Sequence, residues 1–369
     1  MVDVGLSPDF HLGILAPEYP PEVGGMQELA RGLAMSLSKL VEVSVFTKQD
    51  SDRSDASGQK RAVLTLDLET DAALLEESKV DAWLAMNSGL IPIGDSLSLP
   101  FFTYAHGNDF LQPWIPCGPR WIETIRRPYA ASVRHWLRRR SLRRSIASSR
   151  LVFCNSSRTA ELLRTNLGLG SDKIRKCPPG VDEVFFSVDR SDPHPGLRLL
   201  TVATLSRFVP RKNIEGVIRA VRLLTPKVDI SYTVVGDGDD LPRLKTLADD
   251  LGLRSQVHFR GRVDQEDLLS CYAEADLFIL ASKASERDVE GFGIVFIEAS
   301  ASGVPVIASR EGGATDAVQE GVNGLIIPDS SPESIARGIE RYLAERERFE
   351  TERIRGFAEQ FRWSSLAPQ

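Results

Sequence analysis

Short apolar runs, each closed by turn residues and followed by apolar positions at helical spacing, recur along most of the chain. The first is His11–Ala16. A loop rich in Pro and Gly follows, from Pro17 to Gly25, and then Met26, Leu29, Ala30, Leu33, Leu37 and Leu40 recur on one helix face. Val41–Thr47 alternates as a strand. Residues 48–62 are polar and lack a period, which predicts a surface loop. Further runs of buried-strand type lie at Ala82–Met86, Phe101–Ala105, Leu151–Asn155 and about Lys173–Cys177. Pro178-Pro179-Gly180-Val181-Asp182 and the polar stretch Asp189–Gly196 interrupt the pattern. It restarts at Leu197–Leu205, Ile230–Val235, Val257–Arg260, Leu277–Leu280, Val304–Ala308 and Gly324–Ile327, with helical spacing between the runs. Strands alternating with helices predict parallel sheets covered on both faces. At 369 residues the chain is too long for one ordinary core. The expectation is therefore α/β, with two Rossmann-like doubly wound domains: an amino-terminal one over 1–188 and a carboxyl-terminal one over 189–354. A charged helical pattern from about Pro332 runs to Phe361-Arg362-Trp363, and its aromatic end predicts that the tail, about 355–369, packs back on the first domain. Two such domains facing each other leave a cleft, a preferred place for a ligand.

Composition narrows the partners. Hydrophobic residues at 42% and charged residues at 26% describe a soluble globular chain, and a net charge of −6 argues against a general nucleic-acid binder. No apolar run approaches the roughly 18 residues a spanning helix needs, and no signal peptide opens the chain. Cys117, Cys154, Cys177 and Cys271 are widely spaced, without Cys-x-x-Cys or Cys/His pairing, so reduced thiols in the cytoplasm are expected instead of disulfides or zinc. The charge is uneven. Between Arg120 and Arg150 there are ten arginines and one acid, Glu123, interleaved with Trp121, Ile125, Tyr129 and Trp136. Basic residues with aromatics on an amphipathic stretch suit an anionic membrane surface. The same composition also makes a solvated helix face, or a contact with acidic parts of the chain or with the acceptor.

Residues 286–298 carry two carboxylates, Glu290 and Glu298, on either side of Gly291-Phe292-Gly293, which opens an apolar helix running to about Ser302. Glycines let backbone approach a ligand, a helix start offers N–H groups to an anion, and an acid two turns on can reach another part of the same ligand. Taken alone the pair reads as a capping acid and a solvated glutamate. Arg207, Arg211 and Lys212 lie between the first strand of the second domain and its helix, where a fork and a point charge can hold a diphosphate. A solvated basic turn is the plain alternative, although cations are disfavoured at a helix start. His106 follows the Phe101 strand at the carboxyl edge where such sheets bind ligands; a lone histidine there is more often a hydrogen-bonded turn residue. The Gly24-Gly25 loop stands between a strand and a helix in the phosphate-cradling arrangement, without the dinucleotide fingerprint. Gly236-Asp237-Gly238-Asp239-Asp240 looks like a metal-binding Asp-x-Asp, but turn glycines and acids complementing a helix start account for it, so no metal is expected. Glu311-Gly312-Gly313-Ala314 reads as another glycine-opened helix. No Ser-His-Asp set, metal-spaced histidines or P-loop appears, which leaves hydrolase and zinc readings without material.

Together, Ser206-Arg207 with Lys212, the Gly236-Asp237-Gly238 turn, Phe259-Arg260-Gly261, and the Glu290–Glu298 pair followed by Ala301-Ser302-Gly303-Val304-Pro305-Val306-Ile307 resemble retaining glycosyltransferases of the GT-B fold, family 4. The Gly24-Gly25 loop fits as well, and the resemblance is most specific over 200–327. Asp288–Val295 and Arg207 with Arg211-Lys212 are most similar to phosphatidylinositol mannoside mannosyltransferases and bacterial surface-polysaccharide transferases. The resemblance implies retaining, metal-independent transfer of a hexose, mannose first, from a nucleoside-diphosphate sugar to a lipid-linked, polysaccharide or lipopolysaccharide acceptor. The donor implied is GDP-mannose or a UDP-hexose, with no resident cofactor; the expected setting is the cytoplasm, and the arginine stretch 120–150 favours a peripheral place at the inner face of the plasma membrane. Arg207 and Lys212 would neutralise the donor diphosphate. Glu290 would orient the sugar, beside the backbone of Gly291, Phe292, Gly293 and Ile294. Glu298 would bind the ribose, Arg262 and Val263 would border the base, and Gly24, Gly25 and His106 would close over phosphates and sugar. Front-face attack is implied, with the departing phosphate taking the acceptor proton and Glu290 positioning without attacking. Two other readings stand beside it. A sugar-nucleotide 2-epimerase on a related fold needs catalytic acids and bases at the sugar. A non-catalytic sugar-nucleotide-binding protein has no need of Glu290, Glu298, Arg207 and Lys212 together.

Overall fold

The computed structural model describes residues 9–16, 19, 25–47, 61–63, 75–107, 137, 140–192, 194–206, 210–285 and 288–366. The chain divides into two units, Met1–Gly180 with Trp363–Gln369 and Val181–Arg362. The first is built on a parallel sheet of β1 (His11–Ala16), β2 (Glu42–Thr47), β3 (Arg61–Val63), β4 (Ala82–Ala85), β5 (Phe101–Ala105), β6 (Val152–Cys154) and β7 (Ile174–Lys176). Their order is β3-β2-β1-β4-β5-β6-β7. Successive residues enter opposite cores: Leu15, Trp83 and Ala85 join one cluster, and Ile14, Leu84 and Met86 the other. Burial on both faces is why these strands read as continuous apolar runs. Trp83 lies across its register partner Gly13, where a Cβ would come within 2.3 Å of the indole.

The second unit repeats the plan with β8 (Leu197–Val202), β9 (Ile230–Val235), β10 (Val257–Gly261), β11 (Leu277–Leu280), β12 (Val306–Ser309) and β13 (Gly324–Ile327). All its pairs are parallel, in the order β10-β9-β8-β11-β12-β13. Leu277 and Ile279 face one core while Phe278 and Leu280 face the other. Each fully buried Leu, Ile or Phe contributes about 1.5–3 kcal/mol. The sheet grows from β8 to β9 and β10 on one side, then continues from β11 to β13 on the other. The carboxyl ends of β8 and β11 therefore flank a topological switch point, the place where doubly wound sheets open a binding crevice. β1 and β4 flank the equivalent point in the first unit.

The structure corrects the expected layout in three places. The predicted loop 48–62 ends in strand residues, since Arg61–Val63 pairs with β2 as a sheet edge; residues 48–60 lie outside the described residues. The division falls at Gly180/Val181 and not at 188/189, because the 3-10 turn Glu183–Ser187 buries Phe185 in a core of the second unit. The tail from 355 does not all belong to the first unit. Thr351–Ala358 and Phe361 stay with the second, where Ala358 and Phe361 join the same core as Phe185, and the chain returns to the first unit only at Trp363. Within the first unit Trp363 sits against Gly32 and Gly180, where a Cβ at either would come within 2.3 Å of the indole, and its carbonyl accepts from Ser36 Oγ at 3.1 Å. Among the described residues no helix is long and apolar enough to cross a membrane. Of the arginine-rich stretch, only 137 and 140–150 are described. Helical residues 140–148 bury Leu142 and Ile146 in the core, while Arg143 donates to the Asn166 carbonyl at 2.7 Å.

Candidate active site

The loop after β8 ends in the 3-10 turn Pro210–Lys212, and Asn213 follows with a left-handed backbone (φ 50°, ψ 37°), a conformation Asn tolerates better than most side chains. Asn213 is buried. Its Nδ2 donates to the Ala281 carbonyl at 3.0 Å and the Ser330 carbonyl at 2.8 Å, tying the loop to the ends of β11 and β13. Lys283 N–H donates to the Arg211 carbonyl at 2.7 Å, a second tie between the loops after β8 and β11. These bonds put Lys212 and Arg211 beside the segment that carries Glu290.

Lys212 Nζ donates to Glu290 Oε2 at 2.7 Å, and Ser282 Oγ donates to the same oxygen at 3.3 Å. Arg211 Nη1 stands 3.5 Å from it, while Arg211 Nε donates to Asp288 Oδ1 at 2.9 Å. The result is a nearly buried cluster of two cations and two carboxylates at the switch point. Burial alone would raise the Glu290 pKa, but Lys212 and Arg211, with the hydrogen bonds from Lys212 and Ser282, hold it below the usual carboxylate value. Burial also lowers the Lys212 pKa, and Arg211 adds to that effect against the opposing pull of Glu290. Lys212 further lines a cavity of ≈ 110 Å³ with Ser206, Asn213 and Lys283. Such a cluster can offer cations to an anion and a carboxylate to hydroxyls.

The backbone of Glu290 is fixed from the loop after β12. Gly313 N–H donates to its carbonyl at 2.7 Å, and Gly312 (φ +89°) packs so close that a Cβ would meet that oxygen at 2.9 Å. The expected glycine-opened helix here is only the 3-10 turn Gly313–Asp316. Gly293, at φ +81°, begins the helix Ile294–Ala301. Phe292 turns its ring into the core against Phe361, which leaves only its backbone to offer to a ligand. Glu298 lies on that helix and accepts from the buried Tyr272 hydroxyl at 3.0 Å. Burial, with the charge of Glu298, raises the Tyr272 pKa well above its ordinary value, so the phenol stays a donor. Arg262, exposed, and Val263 follow β10, whose last residue Gly261 accepts from Gly236 N–H at 2.8 Å. Asp240 is held by Arg243 through two bonds of 2.7 and 2.8 Å, and Asp237 accepts from Gly238 N–H, so these acids serve their own turn.

In the first unit, Gly25 opens the helix Gly25–Leu37 after β1, exposed, with open space where a Cβ would stand. His106 follows β5, its Nε2 2.6 Å from the Met86 carbonyl just past β4 and its ring 5.0 Å from that of Tyr104. Burial lowers its pKa to about 4, against the opposing Met86 bond, so the imidazole is neutral at pH 7 and donates from Nε2. Gly24 and Arg207 lie outside the described residues. Lys212 and Glu290 are thus in direct contact, the Arg262–Val263 pair follows the carboxyl end of β10, Glu298 lies within the helix Ile294–Ala301, and Gly25 and His106 belong to the first unit. Asn213, Ser282 and Tyr272 are supporting residues that sequence pattern alone does not single out, and Asp288 and Gly312 stand in stretches it marked without showing that they hold Arg211 and the Glu290 backbone.

Residues 23–185 match the family model described as Glycosyltransferase Family 4, and residues 190–356 the one described as Glycosyl transferases group 1. The chain is 38% identical over 202 residues to the GDP-mannose-dependent alpha-(1-6)-phosphatidylinositol monomannoside mannosyltransferase of Mycobacterium tuberculosis, covering 52% of each. It spans about half the length of the curated relatives it matches. Its structure is similar to sucrose-phosphate synthase from Thermosynechococcus elongatus (TM-score 0.78, 20% identity, 98% of this chain and 97% of that one). It is also similar to Anabaena Alr3699/HepE in complex with UDP and glucose (TM-score 0.75, 19% identity, 98% of both). At these identities the likeness is one of fold, and that fold is GT-B.

Proposed function

The chain belongs to glycosyltransferase family 4, and from that premise we propose that it transfers a hexose from a nucleoside-diphosphate sugar to a hydroxyl of a lipid-linked or polysaccharide acceptor, with retention at the anomeric carbon. The observation that carries the reading is the Lys212–Glu290 pair, a cation and a carboxylate held together at the switch point of the second sheet. As the bond from the anomeric carbon to the diphosphate breaks, negative charge grows on the leaving phosphate. Lys212, Arg207 and the N–H groups opening Ile294–Ala301 stabilise it without a metal. The acceptor oxygen bonds to the anomeric carbon from the face the phosphate leaves, and its proton passes to the departing phosphate oxygen. Glu290 orients the sugar beside the backbone of Gly291–Ile294, and Glu298 holds the ribose near Arg262 and Val263 at the base. Gly24, Gly25 and His106 take the phosphate and sugar contacts that the family resemblance implies.

GDP-mannose is the first donor to test, because the Mycobacterium tuberculosis relative is GDP-mannose-dependent by name, and UDP-hexoses come next. A matching donor raises the melting temperature with its concentration over Kd. Transfer should then give a product with the donor's anomeric configuration. A panel in which no sugar nucleotide stabilises the protein would refute the donor reading, and an inverted product or a trapped glycosyl–Glu290 ester would refute the mechanism. The arginines of 120–150 suit an acceptor at the anionic inner face of the plasma membrane. Binding to anionic vesicles should fade with added salt, and equal binding to neutral vesicles would remove this part.

A further inference from the structure

In that scheme Lys212 serves the diphosphate and Glu290 the sugar, yet the two are bonded to each other at 2.7 Å. A donor that draws Lys212 onto its phosphate takes the nearest counter-charge away from Glu290. A carboxylate this buried, left without a partner, is strongly destabilised and tends to take up a proton, which would spoil its grip on sugar hydroxyls.

Arg211 is placed to prevent this. Its Nη1 stands 3.5 Å from the same Glu290 oxygen that Lys212 holds, is buried, and makes no hydrogen bond. A shift of under about 1 Å brings it to ordinary charge-assisted bonding distance. The rest of the side chain is anchored. Asp288 Oδ1 accepts from Nε at 2.9 Å, and Asp288 is itself fixed by Ser285, whose Oγ accepts from Asp288 N–H at 3.0 Å and whose own N–H donates to the Asp288 carbonyl at 2.8 Å. Among the described residues, the groups facing the Glu290 carboxylate are Lys212 and Arg211 from the turn after β8 and Ser282 from the loop after β11. Of these, only Arg211 carries a charge that the diphosphate is not assigned.

We propose, resting on the donor reading above, that Arg211 is a positioning residue: anchored by Asp288, it keeps Glu290 ionised and aimed while Lys212 turns to the donor diphosphate. A planar guanidinium suits the task because its fork serves two carboxylates at once, whereas the single ammonium of Lys212 can follow a moving phosphate.

The test compares Arg211→Met with Lys212→Met in the full chain, reading GDP and UDP affinity by calorimetry and kcat against pH with the active donor. Arg211→Met should leave nucleotide affinity within about threefold, lower kcat by about tenfold or more, and move the acid limb of kcat to higher pH, because removing a cation raises the Glu290 pKa. Lys212→Met should instead weaken nucleotide binding by about tenfold or more. Asp288→Asn preserves volume and gives a second route: kcat falls in the same direction with nucleotide affinity kept. Arg211→Lys should restore the acid limb before it restores kcat. Loss of nucleotide affinity in Arg211→Met equal to that in Lys212→Met would make Arg211 a phosphate ligand and overturn the inference, as would an unmoved kcat and acid limb. A wild type that binds neither GDP, UDP nor their sugars sinks the donor reading and the inference with it. A wild type that binds and turns over but is indifferent to Arg211 sinks the inference alone.

Discussion

His106→Gln offers a test of the first unit that needs no substrate. The imidazole is partly buried with its Nε2 bonded to the Met86 carbonyl at 2.6 Å, and desolvation lowers its pKa from 6.5 to about 4. Because the folded value is the lower one, the unfolded chain takes up the proton first as pH falls. The native state therefore carries almost no penalty above pH 6.5 and loses stability progressively from there toward pH 4. Integrating between the two values gives about 2 kcal/mol of lost stability at pH 5, against about 0.2 kcal/mol at pH 7. Glutamine keeps an N–H donor for Met86 and removes the titration. Wild type should therefore lose about 2 kcal/mol more than His106→Gln between pH 7 and pH 5. All five tryptophans fall in the segments that form the first unit, so denaturant curves followed by tryptophan emission read this unit and not the second. Tyr104 and Cys177, which lie nearby, titrate above the window because burial raises both. Equal losses in the two proteins would show that His106 is not buried in its neutral form.

Four further outcomes follow from the second unit. Among the described residues, Lys212→Met leaves Glu290 with Arg211 as its one facing cation and Ser282 as a hydroxyl donor. Breaking a buried pair costs about 3–5 kcal/mol, and the retained Arg211 reduces this to about 2–3 kcal/mol, while Lys212→Met/Glu290→Gln should return to within about 1 kcal/mol of wild type in urea curves read by circular dichroism. Glu290→Gln should also flatten the acid-side loss of stability, because a depressed carboxylate contributes stability above its unfolded value near 4.3 and loses it as pH falls through the folded value. Gly312→Ala places a side chain at φ +89°, ψ −157° against the Glu290 carbonyl; it should cost about 1–3 kcal/mol and lower kcat, and an unchanged kcat would mean that the Glu290 backbone tolerates the shift. Tyr272→Phe removes the donor to Glu298, so stability should fall by about 1 kcal/mol and calorimetric affinity for the nucleotide should drop with it.

Strands buried on both faces were the most legible part of the chain, and Ile230–Val235, Leu277–Leu280 and Gly324–Ile327 have the bounds their apolar runs predict. Arg61–Val63 escaped because a three-residue edge strand pairs on one side only and carries no apolar period. The run Leu197–Leu205 stops as a strand at Val202. Beyond it, Leu205 N–H still reaches the Asp237 carbonyl, but the Gly236 and Gly238 turn bends the two backbones together. Glu290 and Lys212 were visible because charged residues just past strand ends in a doubly wound pattern are conspicuous. What holds them was not. Asn213 works on a carbonyl 117 residues away, Tyr272 on a helix 26 residues on, and Gly312 on the backbone of another loop, and no local spacing encodes such pairs.

Trp363 also sets an order of events during synthesis. The seat it fills is made by Gly32 and Gly180, but every residue of the second unit, Val181–Arg362, is translated before it. A growing chain therefore holds an incomplete first unit throughout translation of the second, with an apolar notch uncovered between its helix Gly25–Leu37 and the Gly180 corner. The unit that begins first is the unit that finishes last. Premature termination anywhere within 181–362 would thus leave both halves defective.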